Sequence, residues 1–410
     1  MAFAVRLKDL PRNSRITILL EPYSSVMSCI LMFYAALYMQ ANGLSAKQIG
    51  FIGTIGAAVG LGLQFAAAPI TNRLGRRRTL TLFSLICWSV PLLLWSLASG
   101  FALFLVAAVF FAFSKITSVA WYCVVTEDVG NDRKTEIFGI LAVIASIGGV
   151  ATVLAGPLID RFGLVPAVRC LYAFAFVSMT LMFVIRHLLL TETQAGTTLN
   201  DLHGRLTVSQ GFHRYWQVAS VGLRDREFLR LVMAFALFNL AISMGFVQIL
   251  FINNVLKLTM AELSMIPGVG AIVSFVLFRY AVPHLSGRHE TRTLSLSLAA
   301  FAVGTFLILL VPVGNLWQTL LASALSAAGA YVFQVCVSAA MNNRMGVLHK
   351  ADLYSAVQVL VALAIIPGGY VAGGAFGLDP RLPLALIGLI AVAAAAIILV
   401  PLGPRPRGTE

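Results

Sequence analysis

Lys115 is the residue whose type fits its surroundings least. It lies near the middle of an apolar run, Phe101–Val125, where a charge costs roughly 2.5–3.5 kcal/mol even on lenient insertion scales. A lysine held there can exchange its proton, or keep it and bind an anion. The structural alternative is a lysine that snorkels, or braces the fold by hydrogen bonds to Ser and Tyr. At about 100° per helical residue, Ser118, Tyr122 and Thr126 share its face. They make a polar stripe toward Glu127 and Asp128, the latter roughly 20 Å away at about 1.5 Å per residue. Glu21 is the second ionisable candidate, shortly inside the run Ile16–Gln40 and just before Pro22, with Ser25 and Ser28 on its face. Tyr34 and Tyr38, with Tyr23, form a stripe nearly opposite, so the tyrosines and Glu21 cannot all face one cavity. Lys115 and Glu21 are therefore the expected groups for exchanging protons within the apolar runs.

A second constellation is basic. The chain reads Ala68-Pro69-Ile70-Thr71-Asn72-Arg73-Leu74-Gly75-Arg76-Arg77-Arg78 between two apolar runs. Gly75 permits a tight turn, and the arginines can pair with helix C-terminal carbonyls or with carboxylates. Asn72, Arg73, Gly75 and Arg76, together with Glu127 and Asp128, are the candidate gate, with Arg76 pairing with one of the two acids. The bland reading is a pair of exposed carboxylates at a helix end. Further along, Asn239, Ser243 and Asn253 lie in the run Phe228–Asn253, and Tyr331, Gln334, Ser338 and Asn342 in or next to Leu316–Met341. Their amides and hydroxyls suit a polar or amphipathic solute, with Trp121, Phe246 and Phe333 as apolar wall. They serve equally as helix–helix hydrogen bonds, worth about 0.6 kcal/mol each in a bilayer. No G-x-x-x-x-G-K-[ST] occurs, so no ATP-binding loop is expected. The five cysteines lie in apolar runs without C-x-x-C, and the six histidines lack metal-ligand spacing. The expectation is no cofactor, no metal, no disulfide and no enzyme.

These residues need elements that hold them in a bilayer. Of 410 residues, 59% are hydrophobic and 11% charged, at a mean hydropathy of +0.91, far from the roughly 25% charge of a soluble domain. Apolar runs of about 20 residues, the length that crosses a bilayer, recur twelve times from Ile16–Gln40 to Leu382–Leu402. The first run is too long for a signal peptide and carries Glu21, so it is a retained span. Of the 29 Lys and Arg, 23 fall at the two ends and in alternate gaps, 5 in or beside the intervening gaps, and Lys115 inside a run. By the positive-inside bias this places both termini in the cytoplasm, and it explains the net charge of +13 without nucleic acid. A polar stretch over 187–227 divides the runs into a bundle at 1–186 and another at 228–410. The halves are self-similar. At an offset of 214, Leu44-Ser45 meets Leu258-Thr259, Gly56-Ala57 meets Gly270-Ala271, Pro69 meets Pro283, and Arg78-Thr79-Leu80 meets Arg292-Thr293-Leu294. Ile147-Gly148-Gly149 meets Pro367-Gly368-Gly369 at an offset of 220. The fold expected is an all-α membrane protein of twelve transmembrane helices in two six-helix repeats.

The Asn72–Arg78 loop resembles the loop signature of the major facilitator superfamily, G-x-x-x-D-R-x-G-R-x-R, at the place that family puts it. Ala68 replaces the first Gly, and Asn72 replaces the acid that helps latch the halves in the family's outward-facing state. The repeat position, His284-Leu285-Ser286-Gly287-Arg288, is more degraded. Glu127 and Asp128 match the family's acidic partner for the loop arginine. Phe111-x-x-x-Lys115-x-x-Ser118-Val119 resembles a degenerate form of the fourth-span motif L-x-x-x-R-x-x-Q-G, whose basic residue is associated with proton-coupled transport. The fifth run ends Ala155-Gly156-Pro157-Leu158-Ile159-Asp160-Arg161. It keeps the Gly-Pro of the family's antiporter motif, with Asp-Arg where that motif has Gly-Gly and Thr152 where it has Gly. The resemblance implies that spans 1, 4, 7 and 10 line a cavity. It places Ser118, Tyr122, Tyr34, Tyr38, Asn239, Ser243, Tyr331, Gln334 and Ser338 among the substrate candidates. The function it implies is secondary active transport of a small organic solute by alternating access in a bacterial inner membrane, proton-coupled, by a monomer. Export is favoured because the stripes carry few charges. The alternatives are uptake, an uncoupled facilitator of a small metabolite, or a non-transporting membrane sensor or scaffold on the same fold.

Overall fold

The computed structural model describes residues 10–193, Thr197, 225–281, 290–344 and 350–399. Most of the 187–227 stretch, the His284–Arg288 loop and both chain ends lie outside the described residues. Twelve described helices are long and apolar enough to cross a membrane. Span 1 is Arg12–Ala41, span 2 Ala46–Leu74, span 3 Arg76–Leu97, span 4 Phe101–Thr126, span 5 Ile137–Phe162 and span 6 Leu164–Leu189. Span 7 is Arg226–Asn254, span 8 Met260–Tyr280, span 9 Glu290–Leu310, span 10 Leu316–Met341, span 11 Val357–Leu378 and span 12 Leu382–Leu399. A helix satisfies its own backbone, which is what an apolar segment in lipid requires. Among the described residues no strand occurs, and all five cysteines are free.

Prolines explain two of the irregular turns. Pro91 lacks the N–H that would bond the carbonyl of Cys87, and span 3 widens into a π-turn over Leu85–Ser89 just before it. Pro157 likewise leaves the Val153 carbonyl without its helical donor, next to a tight 3-10 turn at Thr152–Leu154. The Ser264 hydroxyl of span 8 donates to that carbonyl at 3.2 Å. Spans 4 and 7 are each interrupted, at Ala112–Phe113 and at Met244–Gly245.

The self-similarity seen in the sequence has matching structure. Ser45 caps span 2 reciprocally with Gln48, and Thr259 caps span 8 reciprocally with Glu262, 214 positions on in both cases. Within spans 1–6, span 1 packs on 5 and 6, span 3 on 4 and 6, and span 2 on 4. Within spans 7–12, span 9 packs on 10 and 12, and span 7 on 11 and 12. Gly148 abuts Ser25 of span 1, and Gly368 abuts Ser243 of span 7.

The two sets of spans meet chiefly through span 2 on span 11 and span 5 on span 8. Small residues allow this. A Cβ at Gly50 would overlap the Gly369 carbonyl, one at Gly369 the Gly50 carbonyl, and one at Gly373 the Ala46 carbonyl. On the other flank, a Cβ at Gly149 would stand 2.7 Å from Ala271 Cβ and one at Gly268 2.8 Å from Val153 Cγ2. Close backbone approach through small residues is the usual route to helix association in lipid. The span 2–span 11 contacts, with those of Gly156 and Asp160 against the first turn of span 8, sit at the end of the bundle where spans 2 and 8 begin and seal it. Gly149 and Gly268 meet nearer mid-span.

Candidate functional site

A cavity of about 480 Å³ opens among spans 1, 3, 4 and 6, a volume typical of small-molecule sites. Glu21, Ser24 and Ser28 come from span 1, Ser84 and Trp88 from span 3, and Ser114, Thr117, Ser118, Trp121 and Tyr122 from span 4. Span 6 supplies Met179, Phe183 and Arg186. The Trp121 indole donates to Glu21 Oε2 at 3.2 Å. Arg186 is 4% exposed; its Nη2 donates to Ser84 Oγ at 2.9 Å, and its guanidinium lies 5.1 Å from the Phe183 ring centre. The charges of Glu21 and Arg186 attract across the cavity without forming an ion pair.

Glu21, Ser118 and Tyr122 thus converge here, with Trp121, expected as apolar wall, and Ser28, expected on the face of Glu21. Lys115 does not join them. It is exposed, its chain running beside Gly60 of span 2, and among the described residues its ammonium makes no hydrogen bond or ion pair. Ser118 donates to Ser114 O, and Thr126 to Tyr122 O, so both hydroxyls bond within their own span. Tyr34 and Tyr38 are packed in the core instead of lining the cavity. The Tyr34 hydroxyl donates to Met260 O at 3.3 Å and that of Tyr38 to Trp95 O at 2.8 Å. Tyr38 also accepts from Arg169 Nε and lies edge-on to Phe104. In the second half, Asn239 donates to Phe235 O, Ser243 to Leu240 O and Ser338 to Gln334 O, each within its own helix. Tyr331 borders a separate cavity of about 280 Å³ between spans 5, 8 and 10. Arg186 has no place among the expected site residues, because its position at the end of span 6 makes it look like one more basic loop residue. The signal was its spacing from Phe183 and Met179, which puts all three on one helical face.

The basic loop forms a tight polar cluster at the end of the bundle opposite the seal. Gly75 has φ +85°, and a Cβ there would stand 2.6 Å from the Glu192 carboxylate. That carboxylate accepts from the backbone N–H of Arg76 at 2.8 Å and of Arg77 at 3.2 Å, capping span 3. Arg76, 3% exposed, donates through Nε and Nη2 to Glu127 at 3.1–3.2 Å. Thr193 donates to the same carboxylate at 2.5 Å. Partial burial disfavours the Glu127 charge, but the bonds from Thr193 and Arg76 outweigh it and hold its pKa below the ordinary value. Asp128 accepts instead from Asn13 at 3.2 Å, and Asn13 in turn accepts from Thr191. Arg73 is exposed and Asn72 half-buried, and neither has a bond in this cluster. Every member lies within the first half or the segment that follows it, so in this structure the cluster ties spans 1, 3 and 4 to residues 191–193.

At the sealed end, Asp160 closes span 5 onto span 8. Its two carboxylate oxygens accept from the backbone N–H of Met260 at 3.0 Å and of Ala261 at 2.8 Å, at the first turn of span 8. Asp160 is one of the residues that breaks the antiporter-type pattern.

A twelve-helix bundle of two similar halves, sealed at one end, with a cavity of mixed polar and apolar lining among its spans is the architecture of a solute carrier. The profile of the Major Facilitator Superfamily matches residues 23–369, and the chain belongs to that family. It is a multi-pass membrane protein and a transporter, not an enzyme. A search of curated protein sequences finds no match. Among solved structures, it is similar to a POT family transporter in complex with 5-aminolevulinic acid, at TM-score 0.71 and 14% identity, covering 95% of this chain and 96% of that one. It is similar to the nucleoside transporter NupG at TM-score 0.71 and 13% identity, covering 93% and 98%. A bacterial homolog of the human lysosomal transporter Spinster, inward-facing and occupied, matches at TM-score 0.67 and 14% identity, covering 94% and 95%. At these identities the likeness shows the fold.

Proposed function

We propose that this protein is a proton-coupled secondary transporter of a small organic solute, working by alternating access between the bundles 1–186 and 228–410. The observation that carries the reading is a membrane-embedded carboxylate, Glu21, lining a cavity of metabolite size in a bundle sealed at one end. A carboxylate in that setting can be neutral in one state and charged in another, which is what proton coupling requires. The proposed orientation puts both termini and the 187–227 stretch in the cytoplasm of a bacterial inner membrane, on the 23 to 5 division of basic residues. The seal then faces outward and the protein is open to the cytoplasm, with the Arg76–Glu127 cluster as the cytoplasmic gate. The charges of Glu21 and Arg186 remove the reason for preferring export. Direction follows from whether proton and solute bind together or exclude each other.

The test is flux in liposomes under an imposed pH gradient, with candidate solutes supplied in pools and proton movement read by a pH-sensitive dye. Glu21→Gln should abolish the response to the gradient while the protein still folds. Lys115→Ala should keep most of it, because Lys115 stands outside the cavity. Flux in the wild type that ignores the gradient would make the protein an uncoupled facilitator. Loss of coupling in a stably folded Lys115→Ala, with Glu21→Gln active, would return the proton to Lys115.

A further inference from the structure

Arg186 is the feature of the cavity that a neutral substrate leaves unexplained. It is 4% exposed, lines the cavity, and its Nε has no hydrogen-bond partner among the described residues. Its place in the last turn of span 6 favours a positive charge but gives it no counter-ion. A buried guanidinium with one hydroxyl but no carboxylate in contact is costly, and its planar fork matches a carboxylate. Trp88, Trp121 and Phe183 supply flat apolar wall beside it.

Glu21 sets the charge the ligand can carry. Around it, span 1 presents Ser24, span 4 the Trp121 indole and the Tyr122 phenol, and span 6 Arg186. Span 5 meets span 1 through the Ile144 carbonyl, which accepts from Ser25. Arg186 is the charged group acting on Glu21. When Glu21 is ionised it competes with any anion for Arg186. When it is protonated, Arg186 is the cavity's one charge and calls for one negative partner.

We propose that this cavity takes a small monocarboxylate, bound through Arg186 while Glu21 holds a proton, so that solute and proton bind together. The proposal rests on the reading of this cavity as the transport site, and it makes the two move in the same direction. By linkage, each stabilises the binding of the other.

The experiment is calorimetric binding to the full-length protein in nanodiscs, at mildly acidic and mildly basic pH. Acetate, butyrate and benzoate are the carboxylate probes, and benzamide and benzylamine the uncharged and cationic counterparts of benzoate. At least one carboxylate should bind, more tightly at the lower pH and with net proton uptake, while benzamide and benzylamine do not. Arg186→Gln should weaken carboxylate binding by about 10- to 100-fold, the loss of one charge-assisted pair, and Glu21→Gln should bind without proton uptake. If Arg186→Gln fails to fold, Ser84→Ala removes the hydroxyl that positions the guanidinium and should weaken the same probe without admitting benzamide. The proposal is overturned if no carboxylate binds, if benzamide binds as well as benzoate, or if a folded Arg186→Gln binds as the wild type does. Proton-driven flux of an uncharged solute would keep the transport reading and sink this proposal. Carboxylate binding without any flux would do the reverse.

Discussion

Glu127 carries a stability effect whose sign can be worked out. Its carboxylate is held below the ordinary value by Thr193 and Arg76 despite partial burial. A depressed acid contributes stability above its unfolded value, about 4.3, and that contribution is lost as pH falls through the folded value. The melting temperature of the wild type should therefore drop more between about pH 5 and about pH 3 than that of Glu127→Gln, measured by intrinsic fluorescence in detergent. Parallel curves would mean that the Arg76–Glu127 contact adds no net stability. At this scale the Arg76 contact with one of two adjacent acids was legible through the loop's resemblance to the family signature, although Glu127 lies 51 residues away on another span. Glu192 and Asn13 lie far from that loop in sequence, and only the fold brings them to it. Arg186 was hidden because a basic residue at a span end serves topology as readily as binding.

At the scale of elements, Asp160 links two helices that are neighbours only because the halves meet. The first-turn N–H groups of span 8 lack intrahelical partners, and the helix dipole makes that end partly positive. Asp160 satisfies two of them. Asp160→Asn keeps the size but removes the charge, and should weaken the sealed arrangement by about 0.3–2 kcal/mol, with little effect on insertion. The measurement is maleimide labelling of Ser264→Cys, at the buried start of span 8, in a background without the five native cysteines. Faster labelling in the Asn variant is the expected result, and unchanged labelling would leave Asp160 a local cap. Hydropathy located all twelve spans, and the repeat paired Ser45 with Thr259, whose capping roles only the structure shows. The break in span 7 falls at Gly245, two residues after Ser243, a combination at which helices bend, whereas no proline or glycine marks the break at Ala112–Phe113 in span 4.

For the molecule as a whole, alternating access requires that the seal open as the cavity closes. The seal's weakest tolerance is at span 2 on span 11, where Gly50 and Gly369 leave their carbonyls no room for a neighbouring Cβ. Thr54 Oγ1 accepts from the backbone N–H of Tyr370 at 3.0 Å on the same face, and Lys47 lies over the Tyr370 ring. Gly369→Val puts a branched side chain into that contact while touching neither the cavity nor the Arg76–Glu127 cluster. It should destabilise the sealed state selectively and shift the population toward the state open at that end. With the proposed orientation, Thr54→Cys in the Gly369→Val background should react with an impermeant maleimide added outside intact cells, where Thr54→Cys alone does so slowly. The cavity in the first half should become correspondingly harder to reach from the cytoplasm, so binding of a cavity ligand should weaken along with the gain in labelling. The two changes must move together if one rocking equilibrium governs both ends. A Gly369→Val protein that labels faster outside yet binds its ligand unchanged would show that the ends open independently, and alternating access would fail for this chain.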